Sequence, residues 1–120
     1  MMHEQDALDK LAIASAPTVQ EQPRLEISDW AILESGCGDQ YLMGLHTYQS
    51  RLRLTTPIAS FQAAGRLIQT KSGRIYELLG PPTQDPTVLL VMAVHAIRVG
   101  LSMTGDVSSE FWKTIQHAAQ

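Results

Sequence analysis

The residues best suited to bind a metal or to act as nucleophiles are few in this chain and lie far apart. They comprise one cysteine and four histidines: Cys37, His3, His46, His95 and His117. No two of them have the short spacing that zinc-binding motifs use. We therefore expect no metal site. We expect His46 on a strand surface, and His95 and His117 on helix surfaces.

Nucleophilic and acid–base catalysis have little support from the sequence. Cys37 lies between two glycines, and a Cys–His pair would require His46 or His95 to approach it in space. A pair of carboxylates can transfer protons, but an exposed strand edge explains the acidic residues near the predicted first strand more simply. Those residues are Glu26, Asp29 and Glu34. We expect no catalytic residue, no cofactor and no enzymatic activity.

Basic residues are concentrated in the middle third of an acidic chain. The net charge of −3 argues against a protein that binds nucleic acid over its whole surface. Residues 40–80 nevertheless contain several cations and the single acid Glu77: Arg51, Arg53, Arg66, Lys71 and Arg74. Two interpretations are open. These cations pair with the acidic residues 1–39, or they form a face that binds a partner.

Aromatic residues bear on the second interpretation. Tyrosines near the basic residues could stack on bases, although Tyr41, Tyr48 and Tyr76 are equally suited to strands and to a core. Trp112 follows Phe111 in a predicted helix, so the two rings face different sides and one could lie at an interface. The predicted partner-binding residues are therefore Arg51, Arg53, Arg66, Lys71, Arg74 and Trp112.

Alternating apolar residues and turn residues predict five short β-strands before residue 80. The predicted strands cover residues 25–33, 40–48, 54–61, 66–71 and 74–79. Gly44, inside the second strand, indicates a bulge or a bend. The last two strands form a hairpin around Ser72-Gly73, which suits a two-residue turn because glycine supplies a positive φ. This hairpin would place Arg66, Lys71 and Arg74 close together.

Two helices are predicted after the strands. The first has Asp85 as its N-cap and Pro86 at its first position, and it runs to about Val99 with Gly100 as a C-terminal cap. This helix is apolar on most faces, so we expect it to be buried on several sides. Either it crosses the mouth of the sheet beneath the last helix, or it packs against another chain. The last helix covers residues 106–119.

The length of 120 residues fits one domain with an N-terminal segment. We predict a flexible segment at residues 1–23 with a short helix, then one α+β domain at residues 24–120. Its fold class is α+β: a small five-stranded antiparallel SH3-like sheet or barrel at residues 24–80, followed by two C-terminal helices at residues 85–119. The single cysteine favours the cytoplasm. We also expect no signal peptide and no membrane-spanning segment.

Several segments together resemble a group of small uncharacterised bacterial proteins that are often carried on plasmids or phages. In that group a tryptophan strand precedes a Gly-x-x-x-His-Pro-like segment and a Thr-x-Ser-Gly-x-x-Tyr-x-Leu hairpin. The matching segments lie within about residues 28–82: Trp30, Gly44-Leu45-His46, Thr55-Thr56-Pro57-Ile58, Thr70–Leu78 and Gly80. The proline after His46 is missing, and the C-terminal helices are not part of the group's pattern. The resemblance implies a small β-barrel that acts by binding, and it brings no catalytic residues.

Together, these features predict a non-enzymatic protein-binding module, such as a phage or plasmid accessory factor that binds and modulates a host protein. The expected partner is a host protein or a second copy of the chain, the latter as a homodimer through the helix at residues 86–100. The alternative is a small β-barrel that binds nucleic acid with a basic face made of Arg51, Arg53, Lys71 and Arg74.

Overall fold

The computed structural model describes residues 24–46 and 51–119, and within them the α+β class is confirmed. The elements in chain order are β1 (Arg24–Ser35), β2 (Gln40–His46), β3 (Leu52–Gln62), β4 (Leu67–Thr70), β5 (Ile75–Leu78), α1 (Pro86–Arg98), β6 (Met103–Asp106) and α2 (Ser108–Ala118). The segment predicted at residues 1–23 lies outside the described residues, as does Tyr48. In the part of the chain described, neither helix is long and apolar enough to cross a membrane.

The strands form one mixed sheet, and the first five pair in a cycle. Their order is β2-β3-β4-β5-β1-β6, and β2 also pairs with β1. β1 runs parallel to β5, with Arg24 opposite Ile75, whereas it is antiparallel to β2 and β6. The prediction of five antiparallel strands is therefore wrong in two respects. A sixth strand is present, and one pairing is parallel.

A bend in β1 lets this long strand serve both parts of the sheet. Its pairing with β2 shifts register between Ser28 and Ala31, and Asp29 has a φ of +47°. Such a bulge bends a strand and increases its twist. Residues on the N-terminal side of the bulge pair with β5, and residues on its C-terminal side pair with β6. Gly44 of β2 lies opposite this bulge, so the irregularity that the sequence predicts at Gly44 is found in the partner strand β1.

Two apolar clusters pack against the sheet, and each is contacted by a different helix. The α2 cluster has ten buried members: Leu25, Ile27, Trp30, Ile32, Leu42, Ile68, Tyr76, Leu78, Val107 and Ile115. The α1 cluster contains Ala31, Leu33, Met43, Leu52 and Met92. Adjacent residues such as Leu42 and Met43 belong to different clusters, so both faces of β2 are buried.

The hairpin of β4 and β5 is present, but its loop has three residues instead of the predicted two. Ile68 lies opposite Tyr76, and the Thr70 N–H donates to the Arg74 carbonyl at 3.1 Å. The loop is therefore residues 71–73, and its last residue, Gly73, takes the positive φ of +93° that this loop type requires.

Both ends of α1 are capped as the sequence predicts. The Asp85 carboxylate accepts from the Thr87 N–H at 2.9 Å, and Pro86 occupies the first turn. At the C-terminus, two N–H groups donate to carbonyls of the last turn in the pattern of a Schellman motif. These bonds are Gly100 to Ile97 at 3.0 Å and Leu101 to Ala96 at 2.9 Å.

α1 is not buried on several sides, and α2 does not cover it. Only Met92, His95 and Ala96 of α1 are buried. Leu90 and Ile97 are 65% and 73% exposed. α1 packs on the α1 cluster and α2 on the α2 cluster, so the prediction that the last helix lies over α1 is wrong. The other expectation, that α1 packs against another chain, stays a prediction.

Candidate functional site

The six predicted partner-binding residues do not form one surface. Arg51 and Lys71 are exposed, Arg66 and Trp112 are half-buried, and Arg53 and Arg74 are buried. In the hairpin, Arg66 lies at the open end and Lys71 at the loop. The four residues of β4 lie between them, so five residue steps separate Arg66 from Lys71, about 16–17 Å at the rise of an extended strand. The prediction that Arg66, Lys71 and Arg74 lie close together is therefore wrong.

Lys71 pairs with a residue of the acidic N-terminal third. Its ammonium Nζ lies 3.8 Å from Asp39 Oδ1, with both side chains substantially exposed. This contact agrees with the interpretation that the cations of the middle third pair with residues 1–39. An exposed ion pair of this kind contributes only about 0–1 kcal/mol, so it does not prevent Lys71 from contacting a partner.

Trp112 contributes to the apolar packing. Its ring meets that of Trp30 edge to face, with centroids 6.5 Å apart, and the neighbouring Phe111 packs on Phe61 at 4.8 Å. Such aromatic pairs favour a fixed geometry. Both aromatic side chains of α2 therefore pack against the α2 cluster and are half-buried.

Two of the predicted surface cations meet a histidine inside the sheet. Arg53, Arg74 and His46 are each only 3–4% exposed. Gly44 lies opposite Arg53, and His46 follows Gly44 by two residues, so Arg53 and His46 share one face of the strand pair. The charge of Arg74 also acts on His46. We call Arg53, Arg74 and His46 the basic cluster. His46 was expected on a strand surface and Arg53 and Arg74 on a partner-binding face, and these predictions are wrong.

Burial alters the protonation of two histidines. Loss of solvent is the main cause that lowers the pKa of His46 from its ordinary 6.5, and the charges of Arg53 and Arg74 lower it further. The pKa of His95 is also lowered, by burial and then by Arg98. His95 was expected on the surface of α1, which is wrong. Its spacing from Met92 and Ala96 places it on the packed face of the helix.

These shifts predict that the protein loses stability as the pH falls. Both pKa values are lower in the folded protein than in the unfolded chain, so protonation favours unfolding. The contribution of the two neutral histidines to stability is fully present above about pH 6.5, the pKa of histidine in the unfolded chain. It is lost as the pH falls through their lower pKa values in the folded protein. Urea unfolding from about pH 7.5 to about pH 5 measures this slope. We expect His46→Gln and His95→Gln each to reduce the dependence of the free energy of unfolding on pH, and the double variant to reduce it most. A wild-type free energy that stays constant over this range would contradict the prediction.

The described residues offer little for metal binding or nucleophilic chemistry. Among them, no three His, Cys, Asp or Glu side chains are close enough to hold a metal ion. Cys37 is exposed. Its Sγ lies 3.2 Å from the Ser35 hydroxyl and donates to Asp39 Oδ2 at 3.7 Å. Ser35 is the last residue of β1, and Asp39 is the last residue of the turn before β2.

The most unusual surface of the described chain is an apolar face of α1. The large apolar side chains that are exposed there all belong to α1 or its C-cap: Leu90, Val91, Val94, Ile97 and Val99. Leu90, Val94 and Ile97 follow the spacing of one helix side, and we call them the α1 ridge. The sequence shows that α1 is apolar on most of its faces, but only the structure shows which of these apolar residues remain exposed.

A cleft runs beside the α1 ridge. It has a volume of about 300 Å³ and lies between α1 and β6, with Leu89, Ala93 and Ile97 on the helix side and Met103 and Gly105 on the strand side. We call it the α1–β6 cleft. β6 ends the sheet, and in the part of the chain described it pairs only with β1. The ridge, the cleft and the open strand edge therefore form one continuous surface.

Comparison with known proteins identifies no relative. No protein-family model, curated protein or solved structure matches the chain. The resemblance to plasmid-borne and phage-borne proteins therefore stays a prediction.

Proposed function

We propose that this protein is a non-enzymatic protein-binding module that contacts its partner through the α1 ridge. The observation that carries the proposal is the exposure of five large aliphatic side chains on one helix and its cap. Contiguous apolar patches above a few hundred Å² are uncommon on soluble monomers and mark interaction sites. Burial of this patch would favour association by roughly 25 cal/mol for each Å² removed from water.

The position of α1 in the fold supports this role. The helix is held by Met92 and Ala96 on its packed face and by complete caps at both ends. The α1 ridge is therefore not needed to attach α1 to the sheet. Its side chains are available to a partner, and they can be changed without removing the contacts that maintain the fold.

The finer architecture and the biological setting are also proposals. The cycle of strand pairings from β1 to β5 supports a small barrel of SH3-like type, modified by the parallel pairing of β1 with β5. The resemblance over residues 28–82 supports a phage or plasmid accessory factor that modulates a host protein. The single cysteine supports a cytoplasmic location.

The alternative, a barrel that binds nucleic acid, has weaker support. Binding of phosphates needs cations that reach the surface. Arg53 and Arg74 are buried, so Arg51 and Lys71 are the two exposed cations of the predicted basic face. The Asp39 carboxylate, 3.8 Å from the Lys71 ammonium, offsets part of their positive charge. This surface is therefore a poorer candidate than the α1 ridge, and the experiment below tests both.

The test is affinity capture from a lysate of the source cells, analysed by mass spectrometry and for bound nucleic acid. Three variants are compared with the wild type: Leu90→Asp/Ile97→Asp in the α1 ridge, Arg51→Glu/Lys71→Glu in the basic residues, and Gln116→Asp as a control on an exposed position of α2. Thermal unfolding monitors the fold of each.

We expect a captured polypeptide that the α1 variant loses by at least about 100-fold, because a carboxylate would be buried in an apolar contact. The other two variants should retain it. Undiminished capture by the α1 variant would overturn the proposal. Nucleic acid that is lost only from the Arg51→Glu/Lys71→Glu variant would establish the alternative.

A further inference from the structure

We propose that the partner seated on the α1 ridge is a second copy of this chain, related by a two-fold axis near Val94. This inference rests on the proposed function and names the occupant of the same surface. A two-fold interface uses one patch twice, so the patch must complement itself. The α1 ridge and the α1–β6 cleft provide a projection and a recess side by side on one surface.

The spacing of the ridge fits an antiparallel pair of α1 helices. With Val94 at the axis, Leu90 of one copy lies opposite Ile97 of the other, because these residues are four positions before and three positions after Val94. Ile97 borders the α1–β6 cleft. Leu90, which is 65% exposed, would therefore enter the cleft of the second copy beside Ile97.

The volume and most of the walls of the cleft suit an aliphatic side chain. The one charged residue of its lining, Asp106, accepts hydrogen bonds from the Ser108 N–H and hydroxyl. A cavity of about 150 Å³ holds a benzene ring, so a cleft of about 300 Å³ accommodates Leu90 and part of its neighbour. Ala93 on the helix side and Gly105 on the strand side are small, and a Cβ placed on Gly105 would contact nothing within 4 Å. Both positions leave room for close approach of another helix.

Charge also favours a second copy. A two-fold axis brings identical residues together, so a charged ridge would repel itself. From Pro86 to Ile97, α1 carries no acidic, lysine or arginine residue, and its one titratable side chain, His95, is buried on the packed face. Antiparallel α1 helices also place the positive end of each helix dipole beside the negative end of the other.

The exposed face of α1 supplies much of the apolar area that a dimer needs. A standard interface buries about 800 Å² on each partner, of which a little over half is apolar. The α1 ridge and the adjacent Val91 contribute roughly a few hundred Å² of that apolar area. The open edge of β6 adds backbone donors and acceptors at the rim of the same surface.

Mass measurement in solution tests association of the full chain. Light scattering over about 1–500 µM should show the mass rise from 13.2 kDa to twice that value. Ile97→Asp should weaken dimerisation by at least about 100-fold because the two-fold axis places the carboxylate in both halves of the interface. Gln116→Asp should leave it unchanged. A wild-type mass of 13.2 kDa at every concentration would overturn the proposal.

Cross-linking tests the position of the axis. In a Cys37→Ser background, the Val94→Cys variant should form a disulfide-linked dimer on oxidation, because a residue at a two-fold axis faces its own copy. Gln116→Cys in the same background is the control and should cross-link at least 10-fold more slowly. Equal rates, or a dimer whose mass Ile97→Asp does not change, would overturn the proposed interface.

The outcome for self-association is separable from that for the proposed function. A monomeric wild type that still captures another polypeptide through the α1 ridge would overturn only the second copy as occupant. A monomeric wild type with no capture that depends on the ridge would overturn both. A dimer that the Ile97→Asp variant loses supports both.

Discussion

Replacing Trp30 with alanine is expected to lower the free energy of unfolding by about 3–5 kcal/mol. Trp30 is completely buried and is the largest side chain at the centre of the α2 cluster. Its removal leaves a cavity that the surrounding strands, which pair in a cycle, cannot easily fill. The edge-to-face contact with Trp112 is lost as well. Single domains have a net stability of about 5–15 kcal/mol, so this variant should be close to unfolding.

Trp30 also connects β1 to the segment that follows the hairpin. Its Nε1–H donates to the Gly80 carbonyl at 2.9 Å. Trp30→Phe keeps an aromatic ring but removes this donor, so we expect an intermediate loss of about 1–2 kcal/mol. Comparison of the two variants separates the hydrogen bond from the packing.

Urea unfolding followed by far-UV circular dichroism measures these losses without using tryptophan fluorescence. Trp112→Ala is the matched comparison, because Trp112 is only half-buried on the other side of the ring contact. It should cost less than Trp30→Ala. A Trp30→Ala variant within about 1 kcal/mol of wild type would show that Trp30 does not hold the α2 cluster together.

Replacing Gly44 with alanine is expected to destabilise the protein by about 1–3 kcal/mol, the usual cost of an overpacked site. A Cβ on Gly44 would lie 2.3 Å from Ile27 Cγ2, 3.0 Å from the Ser28 carbonyl oxygen and 3.2 Å from Trp30 Cα. Ile27 is a buried β-branched residue whose methyl group cannot swing away freely. The other two contacts are backbone atoms, so β1 and β2 would have to separate at the bulge.

Gly36→Ala is the control for Gly44→Ala. A Cβ on Gly36 would meet its nearest neighbour, Thr104 Cγ2, at 3.7 Å, which is an ordinary contact. We expect a change of no more than about 0.5 kcal/mol. Equal denaturation midpoints for the two variants would show that the close approach at Gly44 does not limit the packing of β1 on β2.

In the hairpin, the local sequence pattern predicts that two strands are present, but it does not predict which residues of the two strands pair. The residues around Ser72-Gly73 correctly indicated two strands and a turn with a positive φ at Gly73. The number of loop residues was wrong because it depends on which residues pair, and here Ile68 pairs with Tyr76. Alternation alone places Arg74 on the face of Tyr76 and Leu78, since these residues differ by two and four positions. That signal would have removed Arg74 from the predicted surface.

Arg53 and His46 illustrate a limit of such alternation. Leu52 and Leu54 suggest that one face of β3 is buried and that Arg53 therefore faces solvent. The structure buries both faces, because α1 covers one and the cycle of strands covers the other. The cycle closes because β1 pairs with β2 on one side and, in parallel, with β5 on the other. The pairing of β1 with β5 joins residues about fifty positions apart, and no short sequence pattern specifies it.

The sequence by itself determined the local features of this protein. The caps and limits of α1, the existence of the hairpin and the α+β class follow from the conformational preferences of single residues and from hydrogen bonds between residues close together in the chain. Only the tertiary structure decided which faces are enclosed. It added β6, buried Arg53, Arg74 and His46, and left the α1 ridge exposed. Burial depends on contacts between residues far apart in the chain, so the site proposed for partner binding could be located only in the folded protein.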